Sequence, residues 1–113
     1  MLNSNELIDK VKSYNKFLNP DALTKAYDFA VKAHEKQKRD EGSPYIIHPI
    51  AVANILTELK LDSATIATGL LHDTIEDTHA TYQTIEEQFG KEVADLVEGV
   101  TKISEFENQA ISN

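Results

Sequence analysis

The chain has 113 residues, 41% hydrophobic and 27% charged, with four Gly, three Pro and no Cys; this is ordinary usage for one globular domain and excludes collagen-like, low-complexity and disordered classes. The missing Cys removes disulfides, thiolate nucleophiles and Cys-based zinc or iron–sulfur sites, so any metal must sit on His and carboxylates. Eleven basic against nineteen acidic residues give a net charge of −8, which repels nucleic acid, and neither a membrane-spanning apolar run nor a signal-peptide pattern is present, so a soluble cytoplasmic protein with no nucleic-acid or membrane partner is expected.

The apolar spacing is helical nearly throughout and predicts an all-α domain. Leu7, Val11, Tyr14 and Leu18 recur at i, i+4, i+7 and i+11 and mark a first helix capped by Ser4. Asn19-Pro20 stops it and opens a second, whose inward stripe is Leu23, Tyr27, Ala30 and His34. On that stripe His34 reads as a core histidine satisfied by a hydrogen bond, not as a ligand. Arg39 to Tyr45, with Gly42 and Pro44 and no period, is a loop. Pro49 should push His48 out of the α region and open a third helix facing inward with Val52, Ile55, Leu56 and Leu59. Asp62 or Ser63 caps a fourth helix through Ile66, Leu70 and Leu71 that continues into His72-Asp73-Thr74-Ile75-Glu76-Asp77. Thr81 or Thr84 caps a fifth with Tyr82, Ile85 and Phe89, closed by Gly90. A sixth uses Val93, Leu96, Val97 and Val100. The folded unit is residues 1–103; residues 104–113, with only Phe106 and Ile111 as large apolar groups, form a frayed tail or lack their continuation.

On an unbroken fourth helix, Asp73 and Asp77 extend the row of Ile66 and Leu70, with His72 and Glu76 beside them. No Lys or Arg lies within a turn of these carboxylates, and an unpaired carboxylate on an apolar face costs several kcal/mol. A divalent cation resolves this, and imidazole with carboxylate suits zinc, manganese or ferrous iron alike. The His-Asp pair supplies two donors, so a third must come from another segment. His48, at a junction between loop and helix, is the better candidate than His34 in mid-helix. His79, Glu86-Glu87, Glu105 and Glu107 read as solvated surface, and Arg39 taken alone as a solvated loop residue.

Tyr45-Ile46-Ile47-His48-Pro49, Gly69-Leu70-Leu71-His72-Asp73-Thr74-Ile75-Glu76-Asp77-Thr78, Phe89-Gly90 and Val97-Glu98-Gly99-Val100-Thr101-Lys102 together resemble the hydrolase domain of the RelA/SpoT-homologue family, within the HD superfamily. The resemblance runs from about Ala26 to Ile103. It implies an HD-domain helical bundle and a manganese-dependent phosphohydrolase that removes the 3′-pyrophosphate of ppGpp and pppGpp. Matched residue by residue, His48, His72 and Asp73 take the places of metal ligands, Glu76 and Asp77 those of the catalytic carboxylate pair, and Arg39 that of a cation packing on the guanine. Three departures stand beside the match. The family's fourth metal ligand is an Asp in a later Leu-Ala-Asp-Arg-Leu-His-Asn type segment, which this chain does not reach, so a C-terminally truncated bundle one ligand short is expected. The usual Arg-Lys-Ser-Gly-Glu-Pro-Tyr loop is here Arg39-Asp40-Glu41-Gly42-Ser43-Pro44-Tyr45, which sets two carboxylates beside a polyphosphate and should weaken its binding. Lys36 stands where the family has Gly. Two other readings stay open: a catalytically inactive remnant that binds a partner or forms a homo-oligomer through surface left by absent helices, and an HD-type nucleotidase acting on another phosphate ester.

Overall fold

Among the described residues, seven helices follow one another: α1 (Ser4–Lys12), α2 (Pro20–Ala33), α3 (Ile47–Glu58), α4 (Ser63–Leu71), α5 (Thr74–Asp77), α6 (Tyr82–Phe89) and α7 (Lys91–Ser112). This computed structural model describes the backbone of residues 1–16 and 18–112 and the side chains of residues 1–16, 18–76 and 78–103. Among the described residues there is no strand, only an isolated bridge between Lys38 and Pro44. The backbone of 104–112 continues α7; the side chains of the expected tail, Phe106 and Ile111 included, lie outside the described residues.

The first cap is Asn3, not Ser4. Its side chain accepts from the Glu6 N–H at 2.8 Å while Glu6 accepts from the Asn3 N–H at 3.0 Å, a reciprocal pair that satisfies two otherwise orphaned donors. α1 also stops at Lys12, short of the expected stripe. Tyr14 leaves the helix and donates its hydroxyl to the Leu61 carbonyl at 2.6 Å. Asn19 and Pro20 open α2 as expected, the Asn19 side chain accepting from the Asp21 N–H.

α3 departs from the sequence expectation in start and in register. It begins at Ile47, so His48 is helical and Pro49 sits in the first turn, where a missing N–H costs no hydrogen bond. The buried face is Ile46, Ile50, Ala53 and Thr57, whereas Ile55 and Leu59 are 58% and 63% exposed. α4 lies at the centre, packed on α2, α3 and α7, with Ile66, Ala67, Leu70 and Leu71 buried. Gly69 makes its close contact with α3 feasible, since a Cβ there would lie 2.6 Å from Leu56 Cδ1 and 3.6 Å from Ala53 Cα. α6 ends at Gly90, whose φ of +92° is cheap only for Gly, and Phe89 meets Phe29 of α2 edge to face at 5.6 Å.

Asp62 caps α4 by accepting from the Thr65 N–H at 2.8 Å. Its hydrogen bonds to the Thr65 side chain and backbone hold the carboxyl below its ordinary value, against a smaller opposing effect of burial. A depressed carboxyl stabilises the fold above its unfolded pKa and ceases to do so as the pH falls through the folded one. Asp62→Ala should therefore cost about 1 kcal/mol at neutral pH. The gap from wild type should close below about pH 4, a trend that urea titrations at a series of pH values will register.

Candidate metal centre

Three elements converge on the centre. The first is the turn between α2 and α3. Gly42, at φ +95°, lets the chain double back, with the Arg39 N–H donating to the Ser43 carbonyl at 2.9 Å and the Tyr45 N–H to the Gln37 carbonyl at 3.0 Å. Tyr45 thus leaves the turn at a fixed place, three residues before His48 in the first turn of α3. The third element is the end of α4.

Here the expectation of one unbroken helix is overturned. α4 closes at His72, and Asp73 takes φ −97° and ψ −2° before the short α5 begins. Buried Thr74 stabilises the break by donating its hydroxyl to the Leu71 carbonyl at 2.8 Å, and Thr78 does the same to the Thr74 carbonyl at 2.6 Å. Asp73 therefore does not extend the Ile66 row. Instead the turn aims the neighbouring side chains of His72 and Asp73 at one point.

The donor atoms of His48, His72 and Asp73 lie within 4.8 Å of one another. Asp73 Oδ2 is 3.0 Å from His72 Nε2 and 3.6 Å from His48 Nε2, and it accepts the Tyr45 hydroxyl at 2.5 Å. The His48 and His72 rings meet edge to face at 5.4 Å. Burial would raise the Asp73 carboxyl, but the hydrogen bonds from His72 and Tyr45 and the charges of His72 and His48 outweigh it and hold it below its usual value. It is an anion at neutral pH.

The residues fit a divalent cation. His72 Nδ1 lies 2.6 Å from the Gly69 carbonyl, an acceptor only, so Nδ1 carries a proton and Nε2 is the nitrogen turned toward the centre. That nitrogen lies 3.0 Å from the Asp73 carboxylate oxygen Oδ2. Two imidazoles with one carboxylate form a borderline donor set suited to a transition-metal ion. The outer hydrogen bond on His72 is the usual companion of a metal-bound imidazole.

Of the other residues singled out in the sequence, Glu76 is exposed on α5 and is not one of the three converging donors. The Asp77 side chain lies outside the described residues. Arg39 is half-exposed on the hairpin, its Nε 3.7 Å from the Glu41 carboxylate. His34 is buried, with Nδ1 2.8 Å from Gln37 Oε1, a core histidine with a hydrogen bond as expected, and its Nε2 has no hydrogen-bond partner. It is also the C-cap of α2 and not a mid-helix residue. His79 is exposed. It lines a groove of about 680 Å³ with Phe29, Lys32, Lys36, Gln37 and Thr78, which includes none of the three donors; the donor chemistry, not this groove, marks the centre. Sequence reasoning gave no role to Tyr45 or to the Gly69 carbonyl. An aromatic residue three positions before the His-Pro step was the available signal for the first; the second is backbone and left none.

The model of the family described as HD domain matches residues 26–113. The chain belongs to the HD-domain family. HD domains bind divalent metals, and the His-His-Asp group is where this one offers donors. Among relatives, this HD domain is 50% identical over 107 residues to the GTP pyrophosphokinase rsh of Brucella melitensis biotype 1, covering 95% of this chain and 14% of that protein. It is 58% identical over 84 residues to the bifunctional (p)ppGpp synthase/hydrolase SpoT of Escherichia coli K12, covering 74% of this chain and 12% of that protein. It thus spans about one seventh or less of the length of the curated relatives it matches. A solved structure, described as a metazoan orthologue of SpoT that hydrolyses ppGpp and plays a role in starvation responses, superposes with a TM-score of 0.67 at 32% identity, covering 70% of this chain and 47% of that one. Among the described residues, no helix of the HD domain is long and apolar enough to cross a membrane.

Proposed function

We propose that this HD domain is a (p)ppGpp 3′-pyrophosphohydrolase whose cation, manganese by family resemblance, is held by His48, His72 and Asp73. The observation that carries this reading is the convergence of those three donors, with His72 Nδ1 tied to the Gly69 carbonyl and Nε2 on the side of the centre. When bound, the ion polarises a phosphate oxygen and acidifies a water. Water attacks the phosphorus attached to O3′, the P–O3′ bond breaks, O3′ takes up a proton, and pyrophosphate departs from a nucleoside 5′-di- or triphosphate with a free 3′-hydroxyl.

Glu76, on the turn after the Asp73 break, accepts the proton of the attacking water, in the role matched by resemblance to Glu76 and Asp77. Arg39 lays its guanidinium on the guanine plane. Its neighbour Glu41 is held ionised, its carboxyl lowered first by the Ser43 hydroxyl at 2.5 Å and lastly by Arg39. That carboxylate competes with the nucleotide for Arg39, which favours a weakly bound substrate. The exposed cations Lys32 and Lys36 line the neighbouring groove and offset part of the acidic field that an incoming polyphosphate meets.

The test is pyrophosphate release from ppGpp with manganese present. Glu76→Gln should lower kcat by about 10²-fold or more while leaving metal uptake in place. No turnover by wild type above the Glu76→Gln level rejects the assignment, and faster hydrolysis of nucleoside monophosphates offered in parallel replaces it with a nucleotidase.

A further inference from the structure

His34 is 1% exposed, yet its Nε2 has no hydrogen-bond partner. Burying an imidazole with a bare nitrogen carries a desolvation penalty that Phe or Leu would avoid. Packing alone does not explain the residue; its contacts do. Nδ1 lies 2.8 Å from Gln37 Oε1, and the backbone carbonyl of the same Gln37 receives the Tyr45 N–H at 3.0 Å. The His34 ring lies against the Tyr45 ring at 4.8 Å, tilted by 37°. The His48 ring also meets Tyr45, in an edge-type contact at 5.8 Å. The Tyr45 phenol donates to Asp73 Oδ2, the oxygen that faces both donor imidazoles.

We infer that His34, Gln37 and Tyr45 form a positioning clamp: His34 and Gln37 set the Tyr45 ring, and the Tyr45 hydroxyl fixes Asp73 Oδ2 in the orientation that receives a divalent cation. The inference rests on the metal-centre reading above and adds that cation affinity is governed by a buried histidine that is not a donor. A carboxylate with one oxygen tethered loses less freedom on coordination than one that rotates, and such outer hydrogen bonds are worth about 10- to 100-fold in metal affinity. His34 acts through Tyr45 and touches neither ion nor substrate.

The experiment is titration of the full chain with manganese chloride, followed by calorimetry, for wild type, Tyr45→Phe, His34→Phe and Gln37→Ala, with thermal unfolding of each in EDTA. Tyr45→Phe should bind manganese about tenfold more weakly. His34→Phe keeps a ring against Tyr45 but loses the tie to Gln37, and Gln37→Ala loses the same tie from the other end; both should weaken binding measurably. Melting in EDTA should stay near wild type for all three. Unchanged affinity in Tyr45→Phe overturns the clamp. Weakened Tyr45→Phe beside unchanged His34→Phe and Gln37→Ala overturns the part given to His34. Affinity lost only in step with melting temperature reduces the clamp to packing and also overturns it. Should His34→Phe fail to fold, Gln37→Ala decides. A wild-type chain that takes up no manganese overturns the metal-centre reading itself, an outcome separate from all of these.

Discussion

Asp73→Ala is expected to abolish manganese binding, and with it the hydrolysis proposed for this chain. Asp73 is the one anionic donor among the three, so the variant loses both a ligand and the charge that offsets the cation. Two imidazoles remain, with the Tyr45 hydroxyl deprived of its acceptor. Affinity should fall by about 100-fold or more, beyond the range of outer-contact losses. Thermal unfolding with and without manganese reads this directly. An ion present at about 100 times its dissociation constant stabilises the native state by about 2.7 kcal/mol, so wild type should melt higher with manganese while Asp73→Ala should not move. Asp73→Asn keeps an oxygen for the Tyr45 hydroxyl but not the charge, and should fall between. A manganese-induced shift of wild-type size in Asp73→Ala would remove Asp73 from the site.

The second large effect is structural. Leu70→Ala should destabilise the fold by about 3 kcal/mol, within the usual range for a buried leucine. Leu70 is fully buried on α4, the helix in contact with α2, α3 and α7, so no single neighbour can move in to fill the space. Against a total stability of about 5–15 kcal/mol, that is a substantial share of the whole. The urea midpoint should drop with little change in slope. Leu59→Ala is the matching control: the apolar spacing placed Leu59 in the core, but it is 63% exposed, and its loss should stay within about 0.5 kcal/mol. Equal losses from the two variants would refute the observed register of α3.

That register shows where the amino-acid pattern falls silent. α2 was readable because a capping Asn, a Pro at the first position and a one-sided stripe agree. α3 carries Ile47, Ile50, Val52, Ile55 and Leu56 with alanines between them, so every face is apolar and periodicity selects none; the choice is made by α4, whose Gly69 admits Ala53 and Leu56 to close range. The spacing of His48, His72 and Asp73 was visible as candidate donors, and the fold brings the three together. The route by which it does so was not visible. No Gly or Pro announces the break between α4 and α5. It is stabilised by the Thr74 hydroxyl on the Leu71 carbonyl, a local bond that a helical stripe does not encode. Tyr45 escaped notice as a partner of Asp73 because the two are 28 residues apart and only the doubled-back hairpin unites them.

The family match starts at residue 26, but the cooperative unit starts earlier. Leu7, Ile8 and Val11 of α1 are buried in the common core, and Lys10 grips Asn54 and, at 2.5 Å, Glu58 of α3. The N-terminal helix is thus a splint laid along the same helix that carries His48 in its first turn. A polypeptide started at Ala26 would carry an open trough where the splint had lain, and the imidazole at the far end of α3 would rest on a scaffold no longer braced from behind.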